Sequence, residues 1–238
     1  MSTDEKNNIN QNLLNTWQKL QNNGEIVYNK FPHLNCSVKA RHDVKIFKEF
    51  CSFSGSVLDV GCGPSVPSYL QDNNKISIAV GIDPLISFGK YESDEKIILL
   101  RSIGEHLPFQ DNSFDFVCFA TSFDHVIEPI TVLNETKRVL KKNGVAIFWI
   151  DDDKLNLIKR ALRKTRRMMK HIENDPAIDS QEMLKQSMEV PSGAADVFHV
   201  RHIHFKEFNE LCKSLKFKKI EKLKMENIKS VFVKYIKE

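Results

Sequence analysis

The longest unbroken apolar runs, such as residues 145–150, reach only about six residues, where a membrane-spanning helix needs roughly 18. No bilayer-crossing segment is expected. Glycine and proline are sparse, nine and eight in 238 residues, which excludes fibrous and low-complexity chains. The five cysteines (Cys36, Cys51, Cys62, Cys118 and Cys212) are odd in number, scattered and without a CxxC pair. Neither a disulfide framework nor a thiolate zinc site follows, so reduced thiols are expected. Charge of one sign is scarce as well. The 35 basic and 31 acidic residues leave a formal +4, too little to indicate nucleic acid by itself. The opening MSTDEKNNINQNLL lacks the positive start and apolar stretch of a secretory leader, and a cytoplasmic protein is expected.

What is present is an ordinary globular balance, 41% hydrophobic and 28% charged, with length for one domain and an elaboration. Residues 1–50 read as a polar helical extension. Leu13, Leu14, Trp17 and Leu20 share one face of a 3.6-residue period, and Val44, Phe47 and Phe50 share another. From residue 56 the pattern changes to short apolar runs at 56–60, 77–82, 96–100, 114–120 and 145–150. Such near-continuous strands predict a parallel sheet covered on both faces, with right-handed crossovers. A connecting helix is predicted over 130–141, ended by Asn143-Gly144. Beyond residue 151 the alternation breaks. Helices are predicted over 154–173, 179–188 and 206–215, and closing strands over 217–225 and 230–236.

The sharpest chemical signal is VLDVGCGPS at 57–65, a strand ending in Asp59-x-Gly61-x-Gly63, followed by a short helix that Pro67 can start. Glycines there let a ligand approach the backbone. The next strand ends in Gly81-Ile82-Asp83, about 20 residues later, where a carboxylate can accept the ribose hydroxyls of an adenosine. A nicotinamide enzyme is the competing reading, but its third glycine is missing, since position 66 is Val.

With these motifs and GIDP at 81–84, GEHLPFQDNSFD at 104–115, FDHVIEP at 123–129 and ETKRVLKKNG at 135–144, the sequence resembles the class I S-adenosylmethionine-dependent methyltransferases. Within them it is similar to the ubiquinone/menaquinone C-methyltransferase-like group. The resemblance implies an α/β, Rossmann-like seven-stranded sheet whose last strand is antiparallel. It also implies a methyltransferase domain over 51–238 with a substrate lid over 151–205, and S-adenosyl-L-methionine as cofactor. By position, Asp59, Gly61, Cys62 and Gly63 would line the methionine end, and Asp83 with Pro84 the ribose. Ile103, Gly104 and Glu105 would flank the adenine, and the turn with Ala120, Thr121 and Ser122 would close the cleft. Ile103 stands where many members of the family carry an acid for the adenine amino group, so that contact must come from elsewhere.

Methyl transfer from a sulfonium needs little covalent help, so positioning can supply much of the rate, and no catalytic residue is obligatory. A base is needed only if the acceptor must lose a proton. His125 is the first candidate, with Asp124 beside it; packing within the cofactor loop is the alternative. His199, His202 and His204 invite a metal reading, but strand geometry would put 199 on the face opposite 202 and 204, so no metal is expected. His199 and His202 remain weaker candidates for a base or substrate contact. Residues 154–170 carry eight basic side chains and no acid. They read as a solvated face, or as a surface for an anionic acceptor, an anionic membrane or RNA. The resulting expectation is methylation, with oxygen preferred, of a small or carrier-linked acceptor. The alternatives are a non-catalytic cofactor-binding regulator, an RNA-directed enzyme and an oxidoreductase.

Overall fold

A computed structural model describes residues 3–31, 34–39, 41–86, 96–151, 188, 190–195, 197–225 and 230–237. The predicted helices at 154–173 and 179–188 lie outside these residues, apart from Met188. No described helix is long and apolar enough to cross a membrane.

The apolar runs form the strands β1 (Gly55–Val60), β2 (Ile76–Ile82), β3 (Ile97–Leu100), β4 (Phe114–Ala120) and β5 (Leu140–Asp151). β6 (Phe217–Met225) and β7 (Ser230–Lys237) complete a seven-stranded sheet in the order β3-β2-β1-β4-β5-β7-β6. The first five pair in parallel, and β7 runs antiparallel between β5 and β6, as expected. Alternate residues of each strand face opposite sides. Leu58, Val60, Val117, Phe119 and Phe148 thus build one core with α3 (Pro129–Val139) and α4 (Phe205–Ser214). Val57, Ala79, Cys118, Ile147 and Trp149 build the other with α2 (His42–Cys51). Burial on both faces explains why these runs show no polar alternation.

The extension α1 (Thr3–Lys30) is a single helix of 28 residues, tied down by buried Leu20, Asn23 and Val27. Two local expectations are corrected. No helix follows Gly63: residues 64–70 form turns, because prolines at 64 and 67 disfavour helical backbone in the residues before them, and the amide of Ser68 is taken by the carbonyl of Cys36 at 3.0 Å. Asn143-Gly144 lies inside β5 as an irregularity, where the register passes from Phe114↔Leu140 to Phe116↔Val145.

Strand order reverses direction between β1 and β4. In open α/β sheets this is the point where a crevice opens beyond the carboxyl ends of the strands. The turn after Val60 and the turn after Ala120 flank it.

Candidate cofactor cleft and acceptor site

The turn after β1 is fixed by the backbone. Gly61 and Gly63 both adopt φ 78°, a left-handed conformation that side chains resist. The amides of Gly61 and Cys62 donate to the carbonyl of Ile82 at 2.8 and 3.1 Å, joining the turn to the end of β2. A Cβ on Gly61 would lie 2.3 Å from Cβ of Ser122, so the turns after β1 and β4 touch only because residue 61 is glycine. Ser122 Oγ donates to the carbonyl of Val60 at 2.5 Å.

Asp83 is clamped beside this turn. Its Oδ2 accepts the amide of Gly63 at 2.9 Å and its Oδ1 that of Leu85 at 2.8 Å. Burial pushes its pKa up, and the two amides pull it back. A carboxylate offers about four acceptor sites, so two amides leave capacity for the paired hydroxyls of a ribose. The glycine cradle and this oriented acceptor fit an adenosyl group.

Asp59 sits elsewhere. Its carboxyl is fully buried on the α2 side of the sheet, accepting from Tyr69 Oη at 2.6 Å and from Cys118 Sγ at 3.3 Å. Burial pushes its pKa up to about 7 against those two hydrogen bonds. It supports the turn from below. Cys62 is buried too, its thiol against the carbonyl of Gly63 at 3.3 Å and its pKa pushed well up by burial. Pro84 borders a cavity of about 240 Å³ that α1 roofs with Trp17, Gln18 and Gln21, and that Leu85, Ile86 and Arg101 close.

Gly104 packs where a Cβ would meet Val60 Cγ1 at 3.1 Å, and Ile103 bridges to His106. Glu105 turns away to accept the amides of Ile127 and Glu128 at 2.7 and 3.2 Å, holding the entry to α3. Ala120 is buried, and Thr121, with φ 61°, donates its amide to the carbonyl of Trp149 at 3.3 Å.

Two side chains from the N-terminal extension enter the site without having been anticipated. Asn35 donates to Ser65 Oγ at 2.9 Å and stands over Gly63. Tyr28 is half-buried; burial first, then Cys36 and Asp83, push its phenol pKa up, Arg41 acts against this, and Asp124 adds to it. No motif marks a tyrosine in a polar helix as part of a distant site, so only packing reveals it.

His199 and His202 converge after all, whereas His204 stays exposed at the start of α4. His199 Nε2 lies 3.2 Å from Asp124 Oδ2, and His125 Nε2 lies 3.7 Å from Asp124 Oδ1. The ring of His199 stands 4.6 Å from that of His125 and 5.4 Å from that of His202. The expectation that residues 199 and 202 would diverge assumed a strand; residues 197–204 are irregular, and their path is set by other bonds. The amide of Arg201 donates to the carbonyl of Asp124 at 3.4 Å, and its guanidinium donates to that of Ile127.

Known proteins share part of this sequence and its fold. Residues 58–148 match the family model described as "Methyltransferase domain". The chain is similar to a demethylmenaquinone methyltransferase of Staphylococcus saprophyticus, 30% identical over 111 residues, 43% of this chain and 48% of that protein. It is also similar to a ubiquinone/menaquinone biosynthesis C-methyltransferase of Hahella chejuensis, 35% identical over 82 residues, 34% of this chain and 32% of that one. The chain spans about half or less of the length of the curated relatives it matches. In fold it resembles a Thermotoga maritima S-adenosylmethionine-dependent methyltransferase, described as a possible histamine N-methyltransferase, with TM-score 0.60 and 19% identity over 91% of this chain and 99% of that one. Residues 58–148 are thus similar to a methyltransferase domain, and the seven-stranded sheet has the class I S-adenosylmethionine-dependent methyltransferase fold. Domain and fold together imply S-adenosyl-L-methionine as its cofactor.

Proposed function

We propose that the chain is a methyltransferase acting on a small or carrier-linked acceptor, with an oxygen nucleophile and negative charge on the acceptor preferred. The observation that carries this reading is the clamped carboxylate of Asp83 beside the two left-handed glycines, at the strand-order reversal. When bound, the cofactor supplies an activated methyl group whose carbon–sulfur bond breaks, leaving the electron pair on sulfur, as the bond to the acceptor oxygen forms. Gly61 and Gly63 line its methionine end, and Asp83 holds the ribose. Ile103 and Gly104 border the adenine, while Glu105 serves that rim from behind by fixing the start of α3. Tyr28 and Asn35 close over the cleft from α1 and the segment after it.

His125 is the base in this reading. It is one-third exposed and stands on the turn after β4, from which it would take the hydroxyl proton of an incoming acceptor. The preference for an anionic acceptor rests on the eight basic residues at 154–170 in the sequence. Incubating the protein with methyl-labelled cofactor and a metabolite extract should move label onto an extracted compound. Cofactor binding without any transfer would make the chain a binding protein instead. With the acceptor in hand, His125→Ala should lower kcat about 10²- to 10⁴-fold at unchanged cofactor affinity, and retained turnover would remove it as the base.

A further inference from the structure

We propose that Asp124, His199 and His202 form a site for one divalent transition-metal ion at the acceptor end of the cleft. One ligand atom from each lies within 4.8 Å of the others. One pair, His199 Nε2 and Asp124 Oδ2, is 3.2 Å apart, close to the separation of adjacent ligands that each bind zinc at about 2.0–2.2 Å. Modest rotation of the exposed His202 ring brings in the third. Two imidazoles and one carboxylate are a donor set for zinc, iron or cobalt rather than for magnesium or calcium, which favour oxygen.

The cluster does not depend on the histidines for its assembly. The turn after β4 and the segment before α4 are joined by Arg201, through its amide on Asp124 and its guanidinium on Ile127, and the carbonyl of His199 accepts the amide of Ala195 at 3.0 Å. Three ligands arrive on two fixed backbones. Asp124 and His199 are about one-fifth exposed and His202 more so, so the remaining coordination positions open toward solvent and the acceptor, as in catalytic rather than structural metal sites. His125 stays beside the cluster, outside this set of three ligands. Asp124 follows by two residues the Ser122 that packs on Gly61, so the ion would be held by the same turn that touches the glycine cradle. An acceptor oxygen bound there would lose its proton more easily. This last step rests on the methyltransferase reading; metal binding itself does not.

The test uses the full chain, stripped with a chelator and titrated with Co²⁺ by visible absorption and with Zn²⁺ by calorimetry, alongside a cofactor titration. One equivalent should bind with a ligand-field band. His202→Gln and Asp124→Asn should each weaken uptake about 10- to 100-fold or more, with cofactor affinity unchanged. Asp83→Ala should do the reverse. Absence of stoichiometric uptake, or uptake that survives in His199→Ala/His202→Gln, would overturn the site. Uptake as expected in a protein that transfers no methyl group would leave the metal site standing and the methyltransferase reading refuted.

Discussion

Asp59 and Gly61 show how individual side chains around one turn divide structure from chemistry. The Asp59 carboxyl titrates near 7 in the fold, raised by burial from an ordinary value of 3.8. As pH rises between these values the unfolded chain loses this proton first, so the native state holds more protons and loses stability. The loss is up to about 1.4 kcal/mol per pH unit within that window. Asp59→Asn should remove this dependence: its Tm should fall less steeply than the wild type's from pH 5 to 7, as calorimetric scans would show. At Gly61 the left-handed φ alone should make Gly61→Ala cost about 1–3 kcal/mol, with a further cost from the 2.3 Å approach to Ser122. Adding Ser122→Gly should recover the steric part and leave the backbone part, a comparison that denaturant midpoints can make. Both residues belong to a motif visible in the sequence. Their separation into a support from below and a contact at the surface was not visible, because a motif gives spacing but not the face toward which each side chain turns.

The strands, α3 and α4 were legible because their apolar residues follow the periods of strand and helix, and burial on both faces of the sheet preserved that pattern. The Pro-rich stretch after Gly63 misled because a proline that can open a helix can also terminate one. α1 is a different case: its pattern announces a helix, but its target is encoded in side chains far away. Asn23 donates to the carbonyl of Val197 at 2.9 Å from a buried position, tying α1 to the segment that carries His199 and His202. Asn23→Ala should cost about 1–3 kcal/mol through the orphaned carbonyl, and should speed amide exchange over 197–203. Unchanged exchange there would show that α1 does not hold the histidine segment.

Across the molecule, placing the switch point between β1 and β4 gathers residues from opposite ends of the chain: Tyr28 and Asn35, the glycine turn, Asp83, and the histidines ahead of α4. Sequence reading singled out the residues at consecutive strand ends, where motifs carry the signal, and left the segments that bring Asn35 and the histidines there nearly blank, since those segments are irregular. The small +4 charge also conceals a local bias. Lysines 218, 219, 222 and 224 crowd β6, an exposed edge that positive charge guards against pairing with another sheet. The claim on which the rest depends is that the Asp83 carboxylate receives the ribose of S-adenosylmethionine. Calorimetric titration of that compound into the wild-type chain and into Asp83→Ala tests it: the wild type should bind one equivalent, and the variant, losing charge-assisted hydrogen bonds of about 1.5–3 kcal/mol, should bind roughly 10- to 150-fold more weakly. Equal affinity in the two proteins, or no binding by the wild type, would contradict it.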